Sequence, residues 1–242
     1  MIMLKEAINN LLRKLGYQFI KVPYSERKIR SGHYKWLQEI GIKTVFDIGA
    51  NEGQFIEIIL RLIPQVQVYS FEPLKELFLK LSERFKSDTN VKLFNLAIGN
   101  GNGIVKFYKN DFLPSSSLLE IATLHTDAFP HTKNVNAVEV EMKTLDELIT
   151  KCEIRGKVLL KLDVQGYEMQ VLEGAKRFIN SIDVIIVETS YFELYKDQPL
   201  FEEIFLFLNN KGFKYYGNLE QIYDKRDGKI LQSDSIFIKR EK

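Results

Sequence analysis

Cysteine is almost missing from this chain, with Cys152 the single one among 242 residues. An internal disulfide is therefore excluded, and three histidines without any C-x-x-C pair offer no structural zinc site. A surplus of one charge is also missing. Lys and Arg number 34 against 32 Asp and Glu, a net charge of +2, which leaves no electrostatic footprint for nucleic acid or an anionic membrane. No apolar run approaches the ~18 to 20 residues of a membrane-crossing helix. The opening MIMLKEAINNLLRKLG sets Ile8, Leu11, Leu12 and Leu15 at helical spacing with charges between them, so it lacks the unbroken apolar stretch of a signal peptide. A cytoplasmic protein without stable membrane insertion or a nucleic-acid partner is the expectation, and a homo-oligomer is compatible with it. What is present is 45% hydrophobic content, enough for one sizeable core. The division that follows is an N-terminal helical extension over 1–41 and one α/β domain over 42–242.

Along the chain, SERKIRSGH is polar and HYKWLQEIG reads as a helix closed by Gly41. An alternation then begins. KTVFDIG, QVQVYSFE and NVKLFNLAIG read as buried strands separated by the helices EGQFIEIILRLI and LKELFLKLSERFK, a βαβαβ unit with right-handed crossovers. From 103 to 143 the pattern changes. GIVKFYKN and AVEVEMKT read as strands around a long irregular stretch from Asp111 to Asn136, a length that marks a functional, lid-like insertion. TLDELI then starts a helix capped by Thr144 or Asp146. KVLLKLDV, the helix EMQVLEGAKRFI, DVIIVETS and the helix LFEEIFLFLNNKG restore the alternation, and FKYYGN, QIYD and SIFIKR close it as strands, with an antiparallel pair at the end.

Ligands in such sheets sit beyond the C-terminal strand ends where strand order reverses, which directs attention to TVFDIGANEG. Gly49 and Gly53 remove side chains where backbone approaches a ligand or where a helix packs on a strand. Glu72 ends the second strand at the place where a carboxylate accepts hydrogen bonds from ribose hydroxyls, so an adenosine-type ligand is implied. The pattern D-x-G-x-N-x-G departs from G-x-G-x-x-G. Asp47 in the loop repels a pyrophosphate and suits a cationic amine, which S-adenosylmethionine carries.

DIGANEGQF, FEP, LAIGN, SSSL, TLDEL and KLDVQGYEMQVLEGA, in this order, resemble the FkbM family of S-adenosylmethionine-dependent methyltransferases. The similarity runs from about Lys43 to Ser190. It implies a seven-stranded, mostly parallel, Rossmann-like class I methyltransferase sheet with helices on both faces and an antiparallel C-terminal strand, and O-methylation of a hydroxyl on a sugar, polysaccharide precursor or secondary metabolite. The partner implied is a small-molecule or carbohydrate acceptor.

The cofactor candidates are Asp47, Gly49, Ala50, Asn51, Gly53, Glu72 and Pro73, with Ala97 and Ile98 flanking the adenine. Ser116 and Ser117, with Ser115 beside them, join by the resemblance, and each also reads as an ordinary loop residue. Asp163 ends an apolar strand, where an unpaired carboxylate is costly to bury. Lys161 lies on its face two residues back, so a structural ion pair explains both, and the functional reading has Asp163 at the methyl group as cofactor contact and base. Glu188 repeats that logic, and His125 is the third base candidate. Tyr191 and Phe192 read as pocket wall or core. His125, Asp127 and His131 read as solvated loop rather than a metal site. Two other classes compete: an S-adenosylmethionine-binding protein without catalysis, and a Rossmann-type NAD or nucleotide-sugar enzyme.

Overall fold

In the computed structural model residues 32–240 are described, so the amphipathic segment around Ile8 to Leu15 and most of the polar stretch after it lie outside the described residues. Helix α1 (Trp36–Ile40) ends at Gly41, whose left-handed backbone (φ 83°) lets its amide close the last turn onto Gln38 and Leu37. Strand β1 (Ile42–Ile48) follows, then α2 (Gln54–Leu62), β2 (Gln67–Phe71), α3 (Lys75–Arg84) and β3 (Val91–Phe94). The apolar residues of α2 recur at helical spacing, and Phe55, Ile56, Ile59 and Leu62 are buried against the sheet.

The chain then leaves the main sheet. Short β4 (Ala97–Ile98) pairs in parallel with β6 (Val135–Lys143), and β5 (Gly103–Asn110) pairs antiparallel with β6, giving a separate three-stranded sheet. Between β5 and β6 stand two 3-10 turns and the helix α4 (Thr123–Ala128). The chain returns through α5 (Leu145–Leu148), capped by the Thr144 side chain accepting from the Glu147 amide, to β7 (Lys157–Leu162). Helix α6 (Glu168–Glu173), β8 (Val184–Ser190), α7 (Phe201–Asn210), β9 (Phe213–Tyr223) and β10 (Ile230–Lys239) complete it.

The main sheet has the order β3-β2-β1-β7-β8-β10-β9. Strands β3 to β8 of that sheet run parallel, and β10 is antiparallel to both neighbours. This is the expected class I methyltransferase architecture. Parallel strands covered on both faces must be apolar on both, and consecutive residues here serve opposite cores: Phe46, Tyr69, Leu160 and Ile185 pack on one side, Val45, Val68, Leu159 and Ile186 on the other. A third cluster, with Leu74, Leu77, Phe107, Val140 and Met142, joins the small sheet to α3.

Three sequence expectations are corrected. NVKLFNLAIG is two strands, because Asn95 turns inward and its side-chain amide donates to the carbonyls of Glu72 and Pro73. EMQVLEGAKRFI is not one helix. It stops at Glu173, where Gly174 presses so close to Gly99 that a Cβ would lie 2.0 Å from the Gly99 carbonyl oxygen. FKYYGN and QIYD form one long strand, held by β10 with register shifts that absorb the irregularity.

Candidate active site

Strand order reverses between β1 and β7, and a cavity of about 370 Å³ opens beyond the C-terminal ends of β1, β2, β7 and β8. One end is walled by Ile48, Gly49, Asn51, Phe71, Glu72, Pro73, Leu96, Ala97 and Ile98. The other is walled by Phe112 to Ser116, His125, Phe129, His131, Gln165, Glu188, Ile222 and Gln232, with Asp163 and Val164 between the two ends.

At the first end, Glu72 is 5% exposed and ties the loop together: its Oε2 accepts from the Asn51 amide at 2.9 Å and its Oε1 from the Leu74 amide at 2.8 Å. Each oxygen keeps a second acceptor site for a ligand hydroxyl. Burial pushes the Glu72 carboxyl up to about 7 against the pull of these two amides. Gly49 (φ 87°) is required by a backbone approach: a Cβ there would stand 1.9 Å from the Asp163 carbonyl oxygen, so the loops after β1 and β7 touch main chain to main chain. Gly53 (φ 80°) makes room for Phe85 and Leu81 under the start of α2. Neither Gly53 nor Ala50 faces the cavity. Asp47 lies a layer below it, 1% exposed, where Ser70 Oγ donates to its Oδ2. Burial raises Asp47 to about 6, and Lys161 partly offsets this.

The centre of the cavity is a carboxylate network. Lys161 Nζ stands 2.9 Å from Asp163 Oδ2. Burial works against the Lys161 charge, but the carboxylates of Asp163, Asp234 and Asp47 outweigh it and hold the ammonium above the usual lysine range. Burial likewise disfavours the Asp163 charge, yet Lys161 and the Gln165 amide hold this carboxyl below its ordinary value. Gln165 donates from Nε2 to Asp163 Oδ1 and to Glu188 Oε2, both at 2.8 Å, and Gln232 donates to the same Glu188 Oε2 at 2.9 Å. Among the described residues nothing donates to Glu188 Oε1. Burial first, then the nearby Asp163, pushes the Glu188 carboxyl well above the carboxylate range.

The loop from Asp163 to Gly166 is held from three sides. Buried Glu168 accepts from the amides of Val164 and Gly166. Ser117 Oγ donates to the Gln165 carbonyl at 2.7 Å. The Tyr195 hydroxyl donates to Gln165 Oε1 at 2.8 Å, with the Ser115 carbonyl 3.2 Å away. These anchors keep Gln165 in a left-handed conformation (φ 56°) that a non-glycine residue rarely adopts.

Thus Gly49, Asn51, Glu72, Pro73, Ala97, Ile98, Ser116, Asp163, Glu188 and His125 meet at one cavity, and Asp47, Ala50, Gly53 and Ser117 stand behind its wall. Tyr191 and Phe192 do not line it. His125 sits on α4, 3% exposed between the rings of Phe129 and Tyr195, with no hydrogen-bond partner for either ring nitrogen among the described residues. Burial lowers it to about 4, so it is neutral at neutral pH. Sequence reasoning passed over Gln165, Gln232 and Tyr195. Gln165 lies inside KLDVQGYE, but a neutral amide in a loop carries no signal of its own. No helix among the described residues is long and apolar enough to cross a membrane.

The family model described as the methyltransferase FkbM domain matches residues 47–215. The 2-O-methyltransferase NoeI of Sinorhizobium fredii is 27% identical over 205 residues, 81% of this chain and 84% of that protein. The hexuronic acid methyltransferase AglP of Haloferax volcanii is 22% identical over 145 residues, 60% of this chain and 54% of that protein. Among solved structures, an rRNA methylase from Streptococcus thermophilus superposes with a TM-score of 0.46 at 14% identity, over 92% of this chain and 99% of that one.

Proposed function

The chain belongs to the FkbM methyltransferase family, and from that premise we propose that it moves a methyl group from S-adenosylmethionine to a carbohydrate hydroxyl, with Glu188 taking the hydroxyl proton. The sugar reading draws on the two relatives, one a 2-O-methyltransferase and the other acting on a hexuronic acid. The cavity suits the donor. Glu72 retains acceptor capacity for a pair of ribose hydroxyls, Phe71, Leu96 and Ile98 offer apolar surface for a base, and Asp163 supplies a carboxylate that stays charged. When bound, S-adenosylmethionine supplies a methyl group on a sulfonium whose positive charge is lost on transfer.

The chain's own contribution is alignment and proton removal. A base works best when its pKa lies near the working pH. Asp163 has both oxygens engaged, by Lys161 and Gln165, and its proton affinity is held low, which suits an orienting anion. Glu188 has the higher proton affinity and an oxygen facing the cavity. That uncommitted Oε1 is the observation that carries the reading. Gln165 links the two carboxylates and fixes their separation. His125, neutral and without a hydrogen-bond partner among the described residues, serves as an acceptor contact. The segment from 103 to 143 forms the acceptor-side wall and acts as its lid.

The experiment is incubation with S-adenosylmethionine and a panel of glycosides, with S-adenosylhomocysteine measured. Product that depends on a free sugar hydroxyl supports the reading. Cofactor binding without product from any hydroxyl compound would favour a binding protein, and binding of NAD in its place would favour the Rossmann alternative.

A further inference from the structure

Among the described residues the acceptor end of the cavity is lined by no Lys and no Arg, its basic side chains being the rings of His125 and His131, and we propose that the sugar it takes has no acid group: a plain hexose or deoxyhexose unit rather than a uronate or a phosphosugar. This rests on the carbohydrate reading above and narrows it. Among the described residues that line the cavity there is no Lys and no Arg, whereas Glu72, Asp163 and Glu188 all face it. The ammonium of Lys161 is 7% exposed and is committed to Asp163 at 2.9 Å.

An anion moved from water into such a place without a cation to meet it pays a desolvation cost that its neutral analogue avoids. The protein's own Glu188 shows the direction of that effect, since burial and the neighbouring Asp163 raise its proton affinity. The polar groups left for a ligand are of the opposite kind. His125 is 3% exposed and neutral, and among the described residues neither buried ring nitrogen has a partner, which leaves one donor and one acceptor for a hydroxyl that reaches them as the Phe129 and Tyr195 rings shift. Phe129 beside it, and Phe112 against His131, supply apolar wall suited to the C–H face of a sugar ring. Recognition of a carboxylate or phosphate would ask for a guanidinium or ammonium here.

The test uses methyl glycosides in the gluco, galacto and manno series, each as the hexoside, the hexuronide and the hexuronamide, together with the hexose 6-phosphates. The hexuronamide keeps the shape of the acid and removes its charge. Methyl transfer is followed by S-adenosylhomocysteine release, and binding to protein loaded with S-adenosylhomocysteine by saturation-transfer NMR. In any series that reacts, hexoside and hexuronamide should be alike, and hexuronide and phosphate should have kcat/KM lower by about ten-fold or more, as expected for an unpaired buried charge. Acids that bind and react as well as their amides would overturn the inference and leave the carbohydrate reading standing. No binding or transfer with any sugar in any series would overturn both.

Discussion

Gln165 donates to Glu188 Oε2 at 2.8 Å, and so holds the carboxylate with its other oxygen toward the cavity. If Glu188 removes the acceptor proton, Glu188→Gln should lower kcat by roughly 100-fold or more, the range of general acid–base roles, with cofactor affinity by calorimetry and Tm little changed. Asp163→Asn should act differently, weakening cofactor binding and lowering Tm because Lys161 loses its nearest counter-charge. Near-normal turnover in Glu188→Gln, with the larger loss of kcat in Asp163→Asn, would reverse the two roles.

Buried carboxyls give the ligand-free protein a distinctive pH response. Asp47 is raised to about 6, and Glu72 and Glu168 each to about 7. A raised carboxyl contributes stability that is complete below its unfolded value and is lost as pH rises through the folded one. His125, lowered to about 4, has the opposite sign and loses stability as pH falls below the ordinary histidine value. Comparing wild type with Glu72→Gln cancels the other groups. The stability of wild type relative to the variant should decline between about pH 4.5 and 8, by on the order of 2 to 4 kcal/mol in total. Thermal melts at intervals across that range measure it, and a constant difference would show that Glu72 is not raised. The same variant should bind S-adenosylmethionine more weakly.

A buried imidazole without partners costs stability that an apolar ring of similar size would not. His125→Phe should therefore raise Tm, by the equivalent of about 1 to 2 kcal/mol, and raise the acceptor KM by about ten-fold with a smaller change in kcat. A lower Tm would mean that the imidazole serves the fold. An unchanged KM would remove it from the acceptor site.

The wall from Asp111 to Asn136 is fastened to the rest of the domain by bonds that include Ser117 to the Gln165 carbonyl, the Lys196 amide to Glu120 and the Ala122 amide to Leu194, and by Leu119, Ile121, Leu124 and Phe129 packing on Leu194 and Tyr195. As a lid it should be cut by proteases several-fold more slowly when S-adenosylhomocysteine and acceptor are both present. Ser117→Ala should speed cleavage without ligands and lower kcat through the released Gln165. Identical cleavage with and without ligands would make the segment a fixed wall.

How legible this was in the sequence depended on the kind of signal. The strands buried on both faces announced themselves by apolar runs such as TVFDI and KVLLKL, and the carboxylates Asp163 and Glu188 stood out because each interrupts one. Asn95 gave no such warning. Its role in splitting a strand lies in two hydrogen bonds to carbonyls near Glu72, which no periodicity encodes. Gln165, Gln232 and Tyr195 escaped for the same reason: they act through neutral hydrogen bonds between segments distant in sequence. Gly53 was legible as a special position, but its reason, the Phe85 ring beneath it, needs the packed structure.

The placement of β10 between β8 and β9 also bears on how the chain matures on the ribosome. Strand β9 is made before β10 yet pairs only with it, and β8 keeps a bare edge until β10 arrives. A nascent chain that has reached Tyr223 therefore exposes an open parallel sheet, a ready template for pairing with other chains. Gln232 comes in with that strand, so the carboxylate on β8 acquires its second amide donor at the moment the sheet edge closes. The Gln232 contact to Glu188 and protection of the sheet edge are thus gained in one late step, and a protein cut short before Ile230 would lose both.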